Sequence, residues 1–284
     1  MANTIATAKE YINNQQEVLR MFDTYLLCVD LLKEPLAFKG KDIEYDKMSF
    51  SDYTMGTYNR RNGNETKDFV FERVSRTLSQ DRGDSLDLDI ADQNEGQIAG
   101  GIARVYNFYE IKVVVPTIDA YVFNKLATAS GAVTSSHAAL TKDNVLGFVF
   151  DDFAKLKNKR VKTEECLFYV KSSVKSLIDQ AAFGKGVLTV GQWRGAGDWN
   201  GDIQTTATMI KGAKIVEVPD AYLGDADYII VHPLAFDLYF VLAINDFFDR
   251  IPGKPGLAQV DVRNYFDAWL QPNGEDGVLI ASEQ

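Results

Sequence analysis

Side chains suited to redox or metal chemistry are scarce in this 284-residue chain, which has two cysteines and two histidines. Cys28 and Cys166 stand in apolar settings, YLLCVDLL and EECLFYV, which suit small buried hydrophobes and exclude a disulfide framework. His137 and His232 lie far apart with no Cys or His at ligand spacing, so a zinc site would need mostly carboxylates. No stretch approaches the run of about 18 apolar residues that a membrane helix needs, so no membrane partner is expected. The N-terminal MANTIATAKEYINNQQEVLR lacks a charged segment leading into an apolar one, so no secretory signal is read and synthesis in a cytoplasm is expected. GxSxG, HExxH, CxxC, Walker A and dinucleotide glycine motifs are all missing, so neither enzymatic activity nor a cofactor or metal is expected. Basic charge is also short: 30 Lys plus Arg against 40 Asp plus Glu give a net charge of −10, which argues against a reader of nucleic-acid sequence.

What remains is an ordinary globular composition, 46% hydrophobic and 25% charged, enough for a substantial core. Residues 5 to 32 carry apolar positions at helical spacing, Ile12, Leu19, Phe22, Leu26 and Val29, until Pro35 stops the pattern. From 42 to 93 the spacing turns strand-like. Ile43, Tyr45, Met48 and Phe50 mark one arm, and Phe69, Phe71, Val74, Leu78, Leu86, Leu88 and Ile90 the other. Between them, 52 to 68 is polar and contains Arg60, Arg61 and the Asn62-Gly63 turn pair, so a long hairpin with an exposed tip is expected. Residues 93 to 130 read as one long helix with Ile98, Ile102, Val105, Tyr109, Val113, Pro116 and Ala120 on one stripe, interrupted at the Val113-Val114-Val115-Pro116 run.

An α/β region follows: a helix from about Thr141 with Leu146, Val149, Phe150, Phe153 and Leu156 on one face, a strand at 165 to 170, and a helix SSVKSLIDQ opened by a serine cap. Strands are expected at 187 to 190, 213 to 219 and 227 to 233, a loop at 191 to 202, and a helix from Pro233 through Leu242. The tail has two strands joined at Pro272-Asn273-Gly274. Two constellations invite a chemical reading. Asp198 to Asp202, beside Trp193 and Trp199, offers oxygen ligands and aromatics for a metal or glycan but lacks calcium-loop spacing. Asp151-Asp152 and Glu164-Glu165 are carboxylate pairs whose neighbours point apart, which suits a solvated face.

A hairpin and an amphipathic arm that cannot bury themselves on their own chain point to a subunit that reaches onto its copies. Residues Thr77 to Arg82 with Asp89 and Glu95, Pro116 to Tyr121, Ile229 to Pro233, and Tyr265 to Trp269 with Gly277 add a specific order of pieces. In that order the chain resembles the major capsid protein of tailed bacteriophages, the Hong Kong 97 type. The resemblance implies an α+β fold with an N-arm at 1–40, an extended hairpin (E-loop) at 41–85 and a spine-helix P domain at 86–130. It also implies an α/β A domain at 131–255 and C-terminal strands at 256–284 returning to the P and A domains. The implied function is a head protein assembling as pentamers and hexamers into an icosahedral shell around double-stranded DNA in the virion, without sequence-specific binding. Portal and a separate scaffolding protein are the implied partners, since no large scaffolding segment precedes the arm. The expected contacts between subunits are Arg60, Arg61, Asn62 and Gly63 at the hairpin tip and Phe22, Leu26 and Val29 on the arm. The acidic residues Asp84, Asp87, Asp89, Asp92 and Glu95 are the expected receiver for the tip. The rival readings are an encapsulin-type nanocompartment shell with the same fold and a glycan-binding or metal-dependent hydrolase centred on Trp193 to Asp202.

Overall fold

In the computed structural model of the chain, the described residues are 26–33, 37–39, 42–50, 55–58, 60–61, 66–89, 106–184, 208–248 and 256–284. Expectations for residues 5 to 25, 90 to 105 and 185 to 207, including the strand at 187 to 190 and the loop at 191 to 202, lie outside them.

Among the described residues, three sheets organise the fold. The first pairs β1 (Ala37–Lys39) with β2 (Asp42–Phe50) and β2 with β3 (Phe69–Thr77), all antiparallel. The second places β11 (Leu257–Leu270) between β10 (Phe236–Phe248) and β4 (Gln80–Asp89), again antiparallel. The third has six strands in the order β5 (Val133–His137), β12 (Val278–Glu283), β9 (Ala226–Val231), β6 (Leu167–Lys171), β8 (Ala213–Val218) and β7 (Met209–Ile210). Among the described residues the sheets are joined by the spine helix α1 (Val115–Ala127), α2 (Val145–Asn158), α3 (Ser172–Gly184) and the short α4 (Asp220–Leu223).

The six-stranded sheet is buried on both faces, and the alternation of side chains along each strand sorts the core into two halves. Leu167, Tyr169, Ile229, Val231 and Val278 face α1 and pack with Ile118, Val122, Phe123 and Leu126. Phe168, Val170, Tyr228, Ile230, Leu279 and Ala281 face α2 and α3 and pack with Val149, Phe153, Leu156 and Ile178. Burial on both sides is why LFYV and YIIV are unbroken apolar runs. Within the first half, Phe123 meets Tyr169 edge-on with ring centroids 4.9 Å apart.

Several expectations are corrected. The helix preceding α1 is continuous from Tyr106, and the interruption at the valine run is a π-turn, Glu110–Val114, in which Val115 N–H donates to Glu110 O. Pro116 has no N–H to give and would crowd the carbonyl four residues back, and a widened turn relieves both problems without breaking the rod. The buried stripe is Ile111, Ile118, Val122, Phe123 and Leu126, whereas Val113 of the expected stripe is exposed. Phe150 also faces solvent, under the Lys211 ammonium 4.9 Å from its ring centre. The expected helix from Pro233 through Leu242 is a turn followed by β10: Ala235 N–H donates to His232 O at 2.8 Å, and Phe236 onward pairs with β11. A short aromatic and aliphatic run fits strand or helix by periodicity, and pairing with a distant strand decided it. LDLDI is not the outer part of a hairpin arm: its described residues belong to β4, in a different sheet from β3. At α3 the cap comes from elsewhere in the chain. Ser173 N–H donates to Asp220 Oδ1 at 3.2 Å, and the Ser172 hydroxyl donates to Val218 O. Asp220 is held below the usual carboxylate range, first by its hydrogen bonds with Ser173.

Gly277 and Gly83 are among the glycines that mark close approaches. A Cβ on Gly277 would come 2.7 Å from the Ala235 Cβ, and a Cβ on Gly83 would lie 2.5 Å from the Val262 carbonyl oxygen and 3.3 Å from the Arg263 Cα. Gly83→Ala must therefore part β4 from β11, with an expected loss of about 1–3 kcal/mol. Urea unfolding of the dissociated subunit measures it, and an unchanged midpoint would rule out the close approach.

Candidate assembly surface

β2 and β3 form a hairpin in register from Asp42 opposite Thr77 at its base to Phe50 opposite Phe69 near its tip. Directly opposed residues share a face, so Met48 and Phe71 lie on the same face as Asp46 and Arg73, while Ile43 and Arg76 lie on the other. Ile43 is fully buried at the base against Leu78, Tyr239, Tyr265 and Trp269, and the Arg76 guanidinium stands over the Trp269 ring at 5.3 Å. The Asn273 amide donates to Met48 O at 2.8 Å, from a turn in which Asn273 takes a left-handed φ of 66°. Towards the tip the chain's own core ends. Met48 is 58% exposed, Phe69 64% and Phe71 52%, all three on one face, with Val70 exposed on the other. Burying such a side chain fully contributes roughly 1.5–3 kcal/mol, and at these exposures more than half of each side chain's surface stays in water.

At the tip, Arg60 and Arg61 are exposed in a turn, while Asn62 and Gly63 lie outside the described residues. Of the expected acidic receiver, Asp84 accepts the Tyr109 hydroxyl, which burial and then Asp84 push up to about 12. Its neighbour Asp81 takes a two-pronged contact from Arg263, both bonds at 2.9 Å. Asp87 is exposed, Asp89 ends β4, and Asp92 and Glu95 lie outside the described residues.

On the arm, Phe22 is outside the described residues, Leu26 is half-buried against the chain's own core, and Val29 is exposed. The residues that sink fully are Cys28 and Leu31. Segment 26–33 is a strap over three elements. Leu27 N–H and Cys28 N–H donate to the buried Asp119 carboxylate of α1 at 3.1 and 3.3 Å, Lys33 N–H donates to Leu238 O of β10 at 2.9 Å, and Asp30 pairs with Lys214 of β8 at 2.7 Å. Burial first, then Asp119, pushes the Cys28 thiol far above its ordinary range, while burial with Glu164 and Glu165 pushes Cys166 up to about 11. Asp119 was not singled out from the sequence. Its signal is a lone carboxylate in the buried stripe of PTIDAYVF.

Asp152 corrects the reading of Asp151-Asp152 as a solvated pair. It is buried at 2% exposure and accepts Ser135 Oγ at 2.7 Å, Lys155 Nζ at 2.8 Å and Tyr228 OH at 2.7 Å. Ser135 directs its proton to Asp152 and accepts from Lys155 Nζ at 2.8 Å, so with Tyr228 this network ties β5, α2 and β9 together. Glu164 and Glu165 are exposed and pair with Lys157 and Lys162.

Asp119→Ala strands the Leu27 and Cys28 N–H groups, at a cost of about 1–3 kcal/mol. The expected outcome is at least about tenfold faster labelling of Cys28 by a small thiol reagent, with Cys166 unchanged as the internal reporter of global unfolding. Unchanged Cys28 labelling would assign the strap to apolar burial of Leu31 alone.

No protein-family model matches the chain, and no curated protein does. Solved structures do match. The capsid of the cyanophage P-SCSP1u aligns over 90% of this chain and 87% of its own, with a TM-score of 0.64 at 9% identity. The mature capsid of bacteriophage PhiM1 aligns over 86% and 82%, with a TM-score of 0.60 at 11% identity. A virus-like particle from Pyrococcus furiosus aligns over 95% and 96%, with a TM-score of 0.55 at 11% identity. Spanning nearly the whole of each partner, the chain has the α+β Hong Kong 97-type fold found in tailed-phage capsids.

Proposed function

We propose that this chain is the major head protein of a tailed bacteriophage, assembling as pentamers and hexamers into an icosahedral shell around double-stranded DNA. The observation that carries the reading is a hairpin whose outer half exposes Met48, Phe69 and Phe71 on a capsid fold, because such a face reaches its stable state only against another copy. In this reading 1–40 is the N-arm, with Phe22 and Val29 towards a neighbour and Leu26 on the chain's own core, 41–85 the E-loop, 86–130 the P domain, 131–255 the A domain, and 256–284 the returning strands. The tip residues Arg60, Arg61, Asn62 and Gly63 meet the acidic strand β4 of the next subunit. The net charge of −10 suits a wall that holds DNA without gripping it. Portal and a separate scaffolding protein complete the head, which is made in the host cytoplasm.

A second reading, an encapsulin-type nanocompartment, draws on the alignment with the Pyrococcus particle, which covers almost all of both chains. Electron microscopy of purified particles with a nucleic-acid assay separates the two: shells from infected cells filled with DNA support the phage head, and shells filled with protein support the compartment. A stable folded particle of single-chain mass across a wide concentration range would overturn both.

Phe69→Ser with Phe71→Ser is expected to abolish shell formation while subunit stability changes by no more than about 0.5 kcal/mol, since both side chains are solvated before assembly. Arg60→Glu with Arg61→Glu is expected to slow assembly, and raised salt to imitate that defect in the unaltered protein by screening the tip. Light scattering measures both. Normal assembly of the arginine variant would take the tip out of the interface.

A further inference from the structure

His137 ends β5, an edge strand of the six-stranded sheet, and only 3% of it is exposed. Its ring lies parallel to that of Tyr228 with centroids 5.7 Å apart, and Phe148 of α2 packs on it at 5.6 Å. Both ring nitrogens face oxygen. Nδ1 is 3.1 Å from Ala138 O. Nε2 stands 3.6 Å from Asp227 Oδ2, beyond hydrogen-bond reach, so among the described residues this buried nitrogen has no hydrogen-bond partner. A bulge aims the carboxylate there: β12 pairs with β9 as far as Ala281 opposite Tyr228 and then slips to Ser282 opposite Ala226, which leaves Asp227 over. The other carboxylate oxygen, Oδ1, is 3.4 Å from Lys171 Nζ.

A neutral imidazole donates from one nitrogen and accepts at the other, so either tautomer sets a lone pair against an oxygen here. Only the ring with both protons donates at both ends. We infer that His137 is a pH-operated clasp, taking up a proton to grip Asp227 and so tie the edge strand β5 to β9 across β12. Asp227 offers a separate oxygen to each cation, and exposed Glu283 of β12 stands opposite His137 in the register, so the nearby negative charge favours the protonated ring. Lys171 opposes it, but its charge is met by Asp227 and also acts on Asp220 of α4. On α2, Asp151 is exposed and Asp152 is taken by Ser135, Lys155 and Tyr228, whose hydroxyl burial pushes far above its ordinary range. Lys175 and Asp179 of α3 pair with each other, and Lys142 and Asp143 ahead of α2 are exposed. By linkage the grip contributes fully below about pH 6.5, where a histidine of the unfolded chain is protonated as well. Its contribution falls as pH rises, because the folded chain then holds a proton that the unfolded chain has released. The clasp lies within one chain and does not depend on shell formation.

Hydrogen exchange of the full chain, corrected for the intrinsic rate at each pH, reads the clasp through the amides of 133–140, with those of α1 as the internal control. Protection of β5 is expected to fall about tenfold from pH 6 to pH 8 in the unaltered chain and to change little in Asp227→Asn or His137→Gln, with α1 unaffected. In parallel, 15N-histidine labelling resolves the two histidines of the chain, and His137→Gln assigns them. At pH 7, where an ordinary histidine is mostly neutral, both nitrogens of His137 are expected to carry protons. A neutral His137 ring at that pH, with water or nothing on Nε2, overturns the clasp. So does protection of β5 that is independent of pH or that falls equally in Asp227→Asn. Should the variants misfold, the ring spectrum of the unaltered chain decides alone.

Discussion

The packing of Phe123, Val122 and Leu126 of the spine helix into Tyr169, Ile229 and Val231 is the contact on which the rest of the subunit depends. It covers one face of the six-stranded sheet, while α2 and α3 cover the other, so the apolar central strands are shielded from water only when both layers are present. The same cluster extends to Leu238, Phe266 and Ala268 of the second sheet. One helix thus serves as a common wall for two sheets, and Asp119 on that wall also holds the strap at 26–33. A π-turn beside Pro116 keeps the wall continuous.

A rigid body of this kind can carry an element that contributes little to its own stability. Among the described residues the hairpin is fastened at its base by Ile43 in the aromatic cluster of Tyr239, Tyr265 and Trp269 and by Arg76 on Trp269, and farther out by the Asn273 bond to Met48. On its outer half, exposed Phe69 and Phe71 share a face with Arg73, while exposed Val70 shares the other with Glu72. Charges on such a strand discourage unspecific edge pairing, and an exposed apolar face beside them is the kind of surface that another chain covers. Polar groups inside the body do the opposite work. Asp152, bonded to Ser135, Lys155 and Tyr228, fixes the orientation of α2 on its sheet where apolar packing alone would tolerate sliding.

The sequence by itself determined the local pieces: the alternating arms of the hairpin, the double-faced strands LFYV and YIIV, the helix at 145–158, and an order of pieces that resembles a capsid fold at an identity where sequence comparison finds nothing. These were legible because periodicity is a local property, set by which faces are buried. Tertiary structure alone decided the rest. Phe236 to Phe248 became a strand because β11 was there to pair with it, and the unremarkable VTSSH became an edge strand because β12 ran alongside. Asp119 and Asp152 look like surface carboxylates in one dimension and are buried hubs in three, since their donors come from residues 17 to 92 positions away, apart from Lys155. Likewise a recess at Asn264 exists only where β4, β11 and the spine helix meet, and no spacing rule brings β11 to segments more than a hundred residues before it.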